Sequence, residues 1–235
     1  MQIPWRDSDP EEAEALTHFL RVGLGDSMPP DDTLSVRCAV LRYYPQLAFV
    51  EITDHGHSPP RQLYAFIDPD KVNIRESVTV LDMTNAPVYA LSKFGKLRLE
   101  SADDAIGYVS FFFSCVAGPY GLMPVIETLT AQQADVDDET RAALDRLEED
   151  CIPPRVISQP SPAAEEWLLR VALLFQGAVF RAEVAIATSD DKRGLVEVRK
   201  HEVALAAPED DDSEAEDDDD GEHADEADLN EEDGP

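Results

Sequence analysis

Histidine and aspartate side chains cluster around one predicted turn of the chain. His55 and His57 lie in the stretch DHGH that begins at Asp54, and Asp68 and Asp70 stand at the far end of the next predicted strand. Imidazole nitrogens and carboxylate oxygens are ligands for zinc and other divalent ions. One hypothesis is therefore a metal-dependent enzyme that uses this loop. The alternative is a polar turn with two exposed histidines, since Gly, Ser and Pro surround them.

A second short segment has the residue types of a docking peptide. Residues 62–66 read QLYAF, in which Gln62 is the first residue, Leu63 the second and Phe66 the last. The segment resembles the extended pentapeptides with which bacterial proteins dock on the DNA replication sliding clamp, although Ala65 stands where that motif usually has Leu. The resemblance implies an inhibitor or toxin-type regulator that binds the clamp. The same alternation is also typical of an ordinary β-strand.

The C-terminal segment is the most strongly charged part of the chain. Residues 209–235 contain seventeen Asp and Glu, no Lys or Arg, and one large apolar side chain, Leu229. Such a composition predicts a disordered acidic tail over 207–235, because it cannot bury enough surface to offset the entropy of ordering. The tail would act either as a solubilising polyanion or as an electrostatic capture segment. Its densest run, Asp217, Asp218, Asp219 and Asp220, is the candidate contact for a partner.

The remaining chain is acidic as well. Residues 1–208 carry 33 Asp and Glu against 19 Lys and Arg, a formal charge of −14. Binding to nucleic-acid phosphate normally gains affinity from counterion release by basic residues, so we expect no direct nucleic-acid binding. A basic protein partner fits this charge better. The oligomeric state is left open.

Catalytic and compartment signals are sparse. The sequence has no GxSxG, HExxH or Walker motif, so we expect no cofactor and favour a non-enzymatic interaction or regulatory protein. Cys38, Cys115 and Cys151 are far apart and form no CxxC pair. The first residues lack the pattern of a secretory signal, and no apolar run is long enough to cross a membrane. These features predict a soluble cytoplasmic protein with reduced thiols and no membrane contact.

Helix signals occur at three places. Asp9 before Pro10 predicts a helix over about 10–22, and Ser101 with Asp104 predicts a capped helix over about 102–117 whose apolar residues recur at helical intervals. A third, surface helix is predicted over about 138–149.

Strand signals fill two other stretches. Alternating runs separated by Pro, Gly and Asp extend from Leu34 to about residue 83 and from Trp167 to about residue 205, with a tight turn at Gln176 and Gly177. We therefore predict a single α+β domain over residues 1–206. In it, one central amphipathic helix and further surface helices pack an antiparallel sheet, and the acidic tail follows.

Overall fold

Antiparallel strands form two separate sheets. A computed structural model describes residues 3–25, 28, 33–118, 121–128 and 138–206. The first sheet contains, in spatial order, β1 (Arg6–Asp7), β2 (Leu34–Ala39), β3 (Ala48–Asp54), β4 (Arg61–Ile67) and β5 (Val78–Leu81). The second contains β10 (Val196–Leu205), β9 (Ala178–Ala187), β8 (Glu166–Phe175) and β6 (Val125–Ile126), with β7 (Arg155–Ser158) also paired to β8.

Five helices connect and cover the sheets within the described ranges: α1 (Pro10–Leu24), α2 (Ile74–Ser77), α3 (Ala86–Lys93), α4 (Ala102–Cys115) and α5 (Asp138–Asp150). At the start of α1, the Asp9 side chain accepts a hydrogen bond from the Glu12 N–H at 2.9 Å. At the start of α4, the Ser101 hydroxyl accepts from the Asp104 N–H at 3.2 Å. None of the described helices is both long and apolar enough to cross a membrane.

The α+β class is confirmed, whereas the expectation of one sheet is wrong. The strands up to β5 form one meander, and β8 to β10 form a second one that does not hydrogen-bond to the first. Sequence periodicity identifies strands one at a time, but sheet membership depends on long-range pairing that a local pattern does not contain. The predicted acidic tail over 207–235 lies outside the described residues.

Helix α4 lies between the two sheets and belongs to a core that both share. Its Phe111 ring lies 5.5 Å from the Phe49 ring and 5.7 Å from the Phe66 ring of the first sheet. Trp167 and Val184 of the second sheet belong to the same buried cluster. Most side chains of α4 are buried, because the first sheet covers one side of the helix and the second sheet covers another. The helix is thus buried on more than the single face expected of an amphipathic helix.

One further helix covers the outer face of each sheet. Leu20 of α1 packs with Val50 and Ile52 on the first sheet. Leu147 of α5 packs with Ala172 on the second sheet. The structure therefore alternates helix, sheet, helix, sheet and helix, with the largest apolar cluster around α4.

The turn between β9 and β10 closes against the central helices. Gly194 has a φ of 79°, and a Cβ added there would lie 2.5 Å from the Ser92 hydroxyl oxygen of α3. The hydroxyl of Tyr108, on α4, donates a hydrogen bond to the Gly194 carbonyl at 2.7 Å. At the other end of β9, Gln176 and Gly177 have φ values of 48° and 79°, which confirms the predicted tight turn between β8 and β9.

Replacing Tyr108 with Phe leaves the buried Gly194 carbonyl without its hydrogen-bond donor. We expect the free energy of unfolding to fall by about 1–3 kcal/mol, because the unpaired acceptor keeps its desolvation cost. Urea unfolding followed by circular dichroism measures the change. Tyr64→Phe is the comparison variant. The half-buried Tyr64 hydroxyl bonds to Gln62 at 3.3 Å and to Glu51, and Glu51 keeps its ion pair with Arg37 in the variant, so no buried acceptor is left unpaired. Equal losses from the two variants would contradict a special role for the Tyr108 bond.

Candidate functional site

The loop that carries the two predicted histidine ligands is held by Asp54 at the β3–β4 turn. The Gly56 N–H donates to Asp54 Oδ1 at 2.8 Å, and His57 Nδ1 lies 2.8 Å from Asp54 Oδ2. The Gly56 hydrogen bond, followed by those from Thr33 and His57, holds the pKa of the Asp54 carboxyl below its ordinary value, although desolvation opposes this effect. His55 is directed elsewhere, with Nε2 2.9 Å from the Ser35 hydroxyl. These bonds give Asp54 a structural role in the turn.

The two other predicted ligands lie at the opposite end of the same hairpin. Strand register pairs Asp54 with Arg61, so Asp68, which follows Ile67, is separated from Asp54 by the length of β4, roughly 20 Å. Asp68 Oδ2 lies 2.9 Å from Lys96 Nζ, and Asp70 Oδ2 lies 3.9 Å from it. Among the described residues, no three His, Cys, Asp or Glu side chains are grouped so that they could hold a metal ion. The five proposed ligands therefore do not form one metal site.

The clamp-like segment forms β4, which is paired on both sides by β3 and β5. Phe66, the terminal anchor of the resemblance, is 1% exposed and contacts Phe111. Leu63 is half-buried in the cluster beneath α1, and Gln62 is exposed. The backbone of β4 is thus hydrogen-bonded within the first sheet, and the Phe66 ring is buried in its core. The segment cannot be offered as an extended peptide while that sheet is folded.

The outer face of the second sheet carries a dense set of charges beside an open depression of about 590 Å³. Four cations contribute to this face: Arg170, Arg181, Arg199 and Lys200. Each has a carboxylate within 4.0 Å, drawn from Asp150, Glu166, Glu183, Glu197 and Glu202. Because five carboxylates accompany the four cations, the face is close to neutral and offers little attraction to an anionic ligand.

Helix α5 places an acidic surface next to the end of β10. Its apolar seam, with Leu144 and Leu147, packs against the second sheet and contacts Leu205 at the end of β10. Glu148 and Glu149 lie on its exposed side. The whole helix carries six Asp and Glu against two Arg. The Glu148 carbonyl accepts a hydrogen bond from Arg155 of β7 at 3.0 Å, so the Glu148 and Glu149 carboxylates lie toward the β7 side of the sheet. The apolar seam of the same helix contacts the strand that leads into the acidic segment 209–235.

The candidate contact residues Asp217, Asp218, Asp219 and Asp220 lie outside the described residues. Their attachment point is nevertheless defined, because Leu205 is anchored beneath α5. Residues 1–150 have 26 acidic and 12 basic side chains, and residues 151–206 have seven of each. The acidic segment thus follows a charge-balanced part of the chain, and α5 is the acidic element that contacts the strand preceding it.

Asp150 is a site residue that the sequence did not reveal. It lies at the end of α5, half-buried, and forms ion pairs with Arg170 at 4.0 Å and with Arg181. The sequence predicted α5 and the charged strands separately, but no local signal placed the helix on the second sheet. Only the apolar seam of α5 indicated that the helix lies on the fold.

No protein-family model, curated protein or solved structure matches the chain significantly.

Replacing Asp54 with Asn tests the role of the carboxylate in the β3–β4 turn. The folded-state pKa lies below the ordinary value of 3.8, so the stabilisation is present above that pH and is lost as the pH falls through the folded-state pKa. We expect Asp54→Asn to lower Tm near pH 7, and the difference from wild type to shrink below pH 3.8. Differential scanning calorimetry across this range measures both. Asp70→Asn, which changes an exposed carboxylate, is the control, and a pH-independent difference for Asp54→Asn argues against the assignment.

Proposed function

We propose that this chain is a non-enzymatic interaction or regulatory protein that binds a basic protein partner through acidic surface. The observation that carries the proposal is the position of α5, which packs on the second sheet together with Leu205 at the end of β10 and exposes carboxylates to solvent; the seventeen-carboxylate segment continues from that strand. Acidic groups on a fixed helix and on the adjoining segment can meet one basic surface together. Such complementarity raises association rates and selects partners by charge.

The charges on the second sheet support capture of a basic partner over an anionic one. Arg199 and Lys200 already lie within 4.0 Å of carboxylates of their own chain. A nucleic acid would have to displace these carboxylates and also meet the negative charge of the remaining chain. A basic protein instead meets the exposed Glu148 and Glu149 without displacing an ion pair of this sheet.

The cysteine chemistry fits action in the cytoplasm. Cys38, Cys115 and Cys151 are free thiols. Burial raises the pKa of the Cys115 thiol to about 12 and also raises that of Cys151. The Cys115 and Cys151 thiols are therefore protonated at neutral pH and poor nucleophiles, which suits structural residues in a reducing compartment.

Truncation after Ala206 tests the part played by the acidic segment. We expect full-length bait to recover a basic protein from a lysate of the source cell, and truncated bait to recover much less of it. The full-length interaction should weaken steeply between low and physiological salt, because exposed charges are screened within about 10 Å at 0.1 M salt. Mass spectrometry of both eluates identifies the protein and measures recovery. Identical partners and salt profiles for the two baits would leave the segment only a solubilising role.

A charge-neutral α5 tests whether the folded surface contributes to the same contact. We expect Glu148→Gln with Glu149→Gln to reduce affinity for the recovered partner by about twofold to fivefold, as exposed charge pairs contribute 0–1 kcal/mol each. The matched control is Glu11→Gln with Glu14→Gln, which removes the same charge from exposed positions of α1. Isothermal titration calorimetry compares the variants. Equal losses would mean that only total charge matters, and that α5 is not part of the binding surface.

A further inference from the structure

Strand β10 is an exposed edge of the second sheet. It pairs with β9 on one side, and none of the described strands pairs with its other side. Residues 197–203 are exposed, and two of them are large and apolar, with Val198 37% and Val203 59% exposed. An edge strand with exposed apolar side chains is a surface for adding another strand.

The open part of this edge begins after Val196. The Val196 N–H donates to the Tyr89 hydroxyl at 3.3 Å, and the same hydroxyl donates to the Val196 carbonyl at 3.5 Å. Helix α3 therefore occupies the edge at the start of β10. At the other end, Ala204 and Leu205 contact α5. The stretch 198–203 lies between these two covered ends.

The open stretch is complementary to itself when a second copy runs antiparallel. Residues 198–203 read VRKHEV, and the register shift between Val198 and Lys200 sets Arg199 and Lys200 together opposite one residue of a neighbouring strand. A two-fold axis at His201 therefore sets Val198 opposite Val203 of the second copy. The same axis sets Arg199 and Lys200 of each copy opposite Glu202 of the other copy. Each pair occurs twice, and both kinds of pair favour antiparallel strands.

The side-chain directions agree with this register. Val198 and Val203 are register partners of Val184 and Phe180 in β9, so both point to the face that bears the main core. Arg199 bonds to Glu166 at 2.9 Å on the opposite, outer face, and Glu202 pairs with Arg181 on that face. The two-fold axis thus matches apolar with apolar on one face and opposite charges on the other. Lys200 lies on the outer face as well, with its amine 3.7 Å from Glu183 of its own chain.

The acidic segment favours the antiparallel arrangement. In this register Leu205 lies four residues from the axis in each copy, so the two copies of Leu205 are roughly 20–25 Å apart. The two segments of seventeen carboxylates then leave from opposite ends of the joint sheet. That separation exceeds the screening length of about 10 Å at 0.1 M salt, whereas parallel strands would bring the two segments together.

We propose that two copies of this chain associate through antiparallel pairing of residues 198–203 of β10, which joins their second sheets into one continuous sheet. The partner is a second copy of this chain, recognised by the Val198 to Val203 and Arg199 to Glu202 pairs. The dimer is independent of the basic partner proposed above. The register shifts in β10, between Val198 and Lys200 and between Val203 and Leu205, can instead protect a monomer's edge, so a monomer is the competing outcome.

Charge reversal with rescue tests the dimer by sedimentation velocity of the full chain at about 100 µM. We expect wild type to dimerise, more tightly at about 0.5 M than at about 0.05 M salt because of its −31 charge. Arg199→Glu and Glu202→Arg should each raise the dissociation constant about tenfold, and the double variant should restore it. Lys192→Glu and Asp191→Arg are matched controls in the exposed β9–β10 turn and should leave it unchanged. A monomeric wild type, or a dimer indifferent to both reversals, overturns the proposal.

Cysteine pairing provides a second measurement that leaves the ion pairs intact. Val198→Cys protein is mixed with Val203→Cys protein and oxidised mildly, and the mixture should form a disulfide-linked dimer, because these positions face each other across the axis. Neither variant alone should do so in the proposed register. If either variant crosslinks with itself at the same yield as the mixture, the proposed register is wrong. This test does not depend on whether the charge variants fold.

Discussion

The burial of α4 on two sides is the constraint on which the rest of this structure depends. Phe111 and Phe113 point to opposite sides of the helix, and both are buried. Each such ring contributes about 1.5–3 kcal/mol when fully removed from water. A single sheet can cover only one side of a helix, so the chain requires a second sheet to cover the other side. The outer faces of both sheets are then apolar enough to require α1 and α5.

Features set by neighbouring residues were predictable from the sequence, and features set by distant contacts were not. The Asp9 cap, the Ser101 capping box and the tight turn at Gln176 each depend on a few adjacent residues. The distance between Asp54 and Asp68 was also predictable, because one strand, β4, separates the two residues. The metal hypothesis instead assumed that the chain could bring the two carboxylates to one site. The partner of Asp68 is Lys96, 28 positions later, and no local pattern connects these residues.

The arrangement of charge follows from the same layered packing. On the outer face of the second sheet, side chains from three strands and from α5 are close enough to pair, and Asp150 joins Arg170 and Arg181. On α5, by contrast, the apolar seam uses one side of the helix and leaves the Glu148 and Glu149 side chains exposed on the other. Carboxylates and cations therefore neutralise each other on the outer face of the second sheet, where several strands and α5 meet. On the solvent side of α5, none of the described elements packs against the helix and the carboxylates stay exposed. That difference separates the balanced sheet face from the acidic helix surface.

The composition of the acidic segment makes the segment unsuited to cover the open edge of β10. To cover β10 within its own chain, the protein would need another strand with an apolar side facing the core, next to Val198 and Val203. The residues that follow cannot provide one, because 209–235 hold seventeen carboxylates and a single large apolar side chain. Strand β10 itself, however, has apolar and charged residues in the order that a neighbour requires. A second copy can therefore supply what the C-terminal segment cannot. The resulting pair would carry two acidic segments at opposite ends of one sheet, so that a basic partner with two sites could bind both at once.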